Sequence, residues 1–127
     1  MSDLTEGTHP RVFETISEVV ELEADDQTAL ATERMVALVA EFPREGLAHA
    51  YLAWVLSRSG RYREAIEHGK VAVQLAPRSE RVSLLFFRVL WGAGESLQAF
   101  DEMKRFMAIG HSEEYLSVMR ELEQTGE

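Results

Sequence analysis

Glycine recurs at positions 60 and 94, alanine at 65 and 99, and proline at 43 and 77, each pair 34 residues apart. A period of that length marks pairs of helices stacked into a solenoid, because one pair cannot bury its apolar face alone and must share a core with its neighbours. Such stacks present a curved surface to another polypeptide, so the period points to binding. The 127 residues and the hydrophobic fraction of 46% are enough for one domain with a continuous core, and leave no chain for a second.

Charge and composition narrow the partners. A formal net charge of −9 repels nucleic acid and anionic membranes alike, both of which require a basic face. The charge is uneven: residues 1–45 hold eleven acids and three bases, residues 46–79 two acids and five bases, and residues 80–127 nine acids and five bases. The middle segment is therefore a positive island. Without cysteine there is no disulfide, thiolate metal site or thiol nucleophile. The start MSDLTEGTHP has neither a basic nor an apolar stretch and does not read as a signal peptide. The most apolar run, Leu84 to Trp91, is interrupted by Arg88 and too short for a bilayer. A soluble cytoplasmic protein is expected.

The apolar periodicity and the breakers between runs predict seven helices. The first spans about 10–23, capped by Thr8 or His9, with Val12, Ile16, Val19 and Val20 at helical spacing. The second, about 27–41, stops before Pro43, and Asp25-Asp26 precede it, placed to complement its dipole. The third spans about 46–58, the fourth 62–75 and the fifth 80–91, with Ser79 as the cap of the fifth. The sixth spans about 95–108 and ends at Gly110, expected in the left-handed conformation. Ser112 caps a seventh through about residue 122, with Glu113-Glu114 in its first turn. Residues 1–9 are expected to be a flexible start and 123–127 a frayed tail.

Residues 46–79 resemble the tetratricopeptide repeat. The tight turn, aromatic and small residue of that family are matched by Gly60-Arg61-Tyr62-Arg63-Glu64-Ala65, and its later small residue and closing proline by Ala72 and Pro77. Ala65 and Ala72 suit a close helix approach, Tyr62 fills the gap at the turn, Gly60 permits a costly backbone conformation, and Pro77 ends the helix. His49, Ala53, Leu56 and Gly69 depart from the family, which favours tryptophan, glycine, tyrosine and a large aromatic there. One period downstream, Gly94 and Ala99 return, Ser96 replaces Tyr62, and Phe87 takes the slot of Ala53, a pair of changes that can compensate in volume. Upstream, Ala31 and Pro43 match and Asp26 replaces the turn glycine. The resemblance implies an all-α solenoid of antiparallel helix pairs: one domain over 10–122, with repeats at about 12–45, 46–79 and 80–111 and a capping helix at 112–122.

The resemblance further implies that the first helix of each repeat lines a concave groove. Its rows are Phe13, Leu47, Arg81; Ile16, Ala50, Leu84; and Val20, Trp54, Arg88, flanked by Tyr51, Arg58 and Trp91. The groove residues are thus Leu47, Tyr51, Trp54, Arg58, Arg81, Leu84, Arg88 and Trp91. Aromatic and guanidinium side chains suit a protein or peptide partner with an apolar anchor and carboxylates. The competing reading has Tyr51 and Trp54 packing on the next repeat, and Arg81 and Arg88 pairing with Glu80, Glu95 or Asp101. Some family members clamp acidic chaperone tails with polar residues, but Ile16, Val20 and Ala50 stand where those would be. Similar helical proteins hold secretion-system subunits, which makes a small chaperone for a helical partner the alternative, and a self-associating homodimer another. Catalysis, metals and cofactors are not expected. His9, His49, His68 and His111 are scattered, with His49 read as a core substitution and His68 as a surface residue, and Gly92-Ala93-Gly94-Glu95 follows a helix and lacks a lysine.

Overall fold

The computed structural model describes residues 8–125; residues 1–7 of the expected flexible start and 126–127 of the expected tail lie outside them. Among the described residues the chain forms seven helices and no strand: α1 (Pro10–Ala24), α2 (Thr28–Glu41), α3 (Gly46–Arg58), α4 (Tyr62–Leu75), α5 (Glu80–Gly92), α6 (Ser96–Met107) and α7 (Glu113–Thr125). The last helix continues to Thr125, past the point where the sequence places fraying.

The 34-residue period is written into the backbone. Positive φ among the described residues falls at Asp26 (59°), Gly60 (80°) and Gly94 (83°), one per period. After each, an N–H reaches back five residues to close the turn: Gln27 to Leu22 at 2.8 Å, Arg61 to Leu56 at 3.0 Å and Glu95 to Leu90 at 2.9 Å. The second helices end alike, with Phe42 N–H donating to Leu38, Ala76 to Ala72 and Gly110 to Phe106, all at 2.8–2.9 Å. Asp26 can hold a glycine's place because a short polar side chain tolerates the left-handed region.

Several caps are as expected. His9 Nδ1 accepts from Arg11 N–H, Ser79 Oγ from Val82 N–H and Ser112 Oγ from Tyr115 N–H, each at 3.1 Å. Two expectations are corrected. Asp25 is the C-cap of α1, and neither it nor Asp26 starts α2, whose N-cap Gln27 offers no side-chain bond. Gly110 is not left-handed; a Cβ there would lie 3.2 Å from the Phe106 ring, so lack of room accounts for the glycine.

Helices α1, α3 and α5 lie side by side as one layer. Each of α2 and α4 packs on its own partner and on the first helix of the next repeat, whereas α2, α4 and α6 make at most slight contact with one another. A tight layer beside a splayed one bends the stack toward the tight side, so the first helices form the inner face. The core is continuous through them: Val12, Val19, Ala31, Met35, Val55, Ala65 and Ala72 are fully buried. Each larger aliphatic among these contributes about 1.5–3 kcal/mol on removal from water.

A second cluster, Phe86, Phe87, Leu90, Met103, Phe106 and Tyr115, closes the C-terminal end. Here the departures from the repeat pattern make physical sense. The ring of Phe86 occupies the space that a side chain at Gly69 would need, so the aromatic missing from α4 is supplied by α5. Phe87 stacks on Trp91 at 5.9 Å and meets Tyr115 edge-on at 5.5 Å, anchoring α7.

Candidate functional site

On α3, Leu47 and Tyr51 are buried, because this central helix is covered by α1, α2, α4 and α5, and they offer little surface to a ligand. Half-buried Trp54 meets the Tyr51 ring edge-on at 5.9 Å. The Arg58 guanidinium lies 5.5 Å from the Trp54 ring centre, within cation–π range, and its Nε donates to Glu23 Oε1 at 2.6 Å. Tyr51, Trp54 and Arg58 thus form one connected group one helical turn apart. On α5, Arg81 is exposed with no partner among the described residues, and Leu84 packs half-buried on the C-terminal cluster. Arg88 is exposed and 3.6 Å from Glu114 of α7, a carboxylate the sequence did not suggest for it; of the acids it did suggest, Glu80 accepts instead from Ser112 at 2.6 Å. Trp91 is 43% exposed and edge-on to Phe100 at 5.7 Å. With Phe87, Val118, Glu121 and Leu122 it lines an apolar cleft of about 180 Å³ between α5 and α7.

Three polar clusters escaped the sequence reading, around Glu23, between His49 and His68, and around Glu102. Glu23 is only 3% exposed; its Oε1 accepts from both Arg58 and Thr28, and its Oε2 is buried without a partner. His49 and His68 meet with their Nδ1 atoms 3.1 Å apart, while His49 Nε2 lies 2.8 Å from the Pro43 carbonyl oxygen. That carbonyl only accepts, so Nε2 of His49 carries the proton and its Nδ1 accepts from His68 Nδ1–H. Burial, and the repulsion a second imidazolium would meet beside His49, push the His68 pKa down, against an opposing pull from Glu64 and Glu67.

One period later the same two positions hold Ser83 and Glu102: Ser83 Oγ donates to Glu102 Oε2 at 2.7 Å and takes the Tyr115 hydroxyl at 2.7 Å. Arg105 grips both oxygens of Glu102, at 3.0 and 2.7 Å, which raises the guanidinium pKa further. Burial pushes the Tyr115 phenol well above its ordinary value, so it stays a donor. The available signal was the period itself: 49 with 83 and 68 with 102 are each 34 apart.

Among the described residues no group of three or more histidine or acidic side chains could hold a metal ion, and no helix is long and apolar enough to cross a membrane.

No family model matches the chain, and no curated protein matches it. Among solved structures, a point mutant of MamA, a tetratricopeptide-like protein, matches with a TM-score of 0.63 over 83% of this chain and 77% of its own, at 18% identity. At that identity the likeness is one of fold, and the chain is accordingly a tetratricopeptide-like helical repeat.

Proposed function

We propose that this chain is a non-catalytic interaction module that holds a segment of another protein along the inner face of α1, α3 and α5. The observation that carries the reading is the cation–π pair of Trp54 with Arg58 on α3, with the exposed Arg88 and Trp91 on the adjacent inner helix α5. These residue types are the usual energetic anchors of interfaces, and a guanidinium holds a carboxylate bidentately. A segment with one apolar anchor and one or more acids fits that face. The cleft beside Trp91 also suits a partner helix that lays an apolar stripe against Phe87, Val118 and Leu122, as a small chaperone would need.

The experiment is affinity capture from the native cell, followed by identification of what is retained. Trp54→Ala with Trp91→Ala is expected to abolish retention of the native partner, with circular dichroism confirming that the helices persist. Undiminished retention refutes the inner face as the binding surface. Sedimentation at two concentrations separates self-association, because only a dimer changes mass on dilution.

A further inference from the structure

We propose that the edge formed by the connectors at 42–45 and 76–79 is a second docking surface, for an extended acidic segment of a partner protein that carries an aliphatic side chain between its carboxylates. Uncompensated positive charge gathers there. Arg11, Arg34, Arg58, Arg61, Arg88 and Arg105 all contact acids. Arg44 and Arg78, equivalent residues one period apart on the two connectors, and Arg81 in the first turn of α5 are exposed, with no partner among the described residues. In a chain of net charge −9, three such arginines on neighbouring connectors and the helix start beside them favour an acidic segment.

Beside Arg78 lies a cleft of about 180 Å³ whose apolar walls are Leu47, Ala76, Pro77 and Val82; Arg78 and Glu45 are its charged lining residues, and Arg44 and Arg81 each adjoin a lining residue in the chain. The floor is fixed. Gly46 runs so close to the end of α4 that a Cβ on it would sit 2.9 Å from Ala76 Cβ. Arg105 Nη1 donates to the Pro77 carbonyl at 2.9 Å, and Glu45 N–H and Ser79 N–H close the two connectors onto Phe42 and Ala76 at 3.1 and 3.2 Å. A surface ordered beforehand loses little freedom on binding.

Spacing sets the ligand. Packed helices lie about 8–10 Å apart, and an extended polyproline-type chain returns a side chain to one side every three residues, about 9 Å on. Carboxylates three residues apart therefore match Arg44 and Arg78, with the aliphatic side chain between them above the cleft. This surface shares Leu47 and Arg81 with the expected groove but neither tryptophan, and does not need the tryptophans to be occupied.

The test is a titration of the full ¹⁵N-labelled chain with the peptide acetyl-Gly-Asp-Leu-Gly-Asp-Gly-amide, read by amide chemical shifts. Saturable shifts centred on residues 42–47 and 76–82 are expected. Replacing both aspartates of the peptide by asparagine, or introducing Arg44→Glu with Arg78→Glu, is expected to weaken binding about tenfold, the effect of two exposed charge contacts. Trp54→Ala with Trp91→Ala is expected to leave the titration unchanged, which separates this surface from the inner face. No shift, shifts centred elsewhere, or equal binding of the asparagine peptide overturns the proposal.

Discussion

A methyl group at position 69 would collide with the Phe86 ring. Gly69→Ala is accordingly expected to cost about 1–3 kcal/mol, the usual penalty for overpacking. Urea denaturation measures it, and Phe86→Leu on the same background is expected to return most of the loss. The position was visible in the sequence only as a departure, because the residue that fills it is not one period away but on the facing helix, and no repeat pattern encodes that complement. The turn residues were legible for the opposite reason. Gly60 and Gly94 answer a backbone demand that recurs, and Asp26 meets the same demand with φ 59°. His49 and His68 were each read alone, as core and surface, since only the rotation of α3 against α4 decides that their rings meet.

Among the elements, α7 is held differently from the rest. It docks through Tyr115, which is fully buried and touches Ser83, Phe87 and Phe106, and through the bond from Ser112 to Glu80. Tyr115→Ala is expected to release it, at a local cost of about 3–5 kcal/mol for an emptied aromatic site. Hydrogen exchange checks this: protection is expected to vanish across residues 113–125 while α1 to α4 keep theirs, and loss that spreads to α1 sinks the idea. The sequence showed the cap and the acidic first turn of this helix, both local signals. It did not show the anchor, because Ser83, Glu102, Arg105 and Tyr115 come from three helices and none follows an apolar stripe. The inner-face residues divide in the same way. Trp54, Arg58, Arg81, Arg88 and Trp91 keep surface, whereas Leu47 and Tyr51 lose theirs to a central helix covered by four neighbours.

For the whole molecule, the histidine pair ties stability to acidity. The folded state lowers the His68 pKa, so it binds fewer protons than the unfolded chain once the pH drops below the ordinary histidine value of about 6.5. The contribution of the pair is complete above that value and is lost as the pH falls through the depressed one. Thermal melts are expected to hold steady above about pH 7 and to decline as the pH falls below about 6.5. His68→Gln is expected to flatten that decline, and an equally steep decline in the variant rejects the pair as its source.

The inner helices press together while the outer ones stand apart. Opening or closing such an arc changes the gaps between α2, α4 and α6 more than the spacing of the inner helices. For the segment proposed to lie on the inside, the curvature therefore acts as a gauge: a slim strand and a thicker rod would ask for different radii of the same horseshoe.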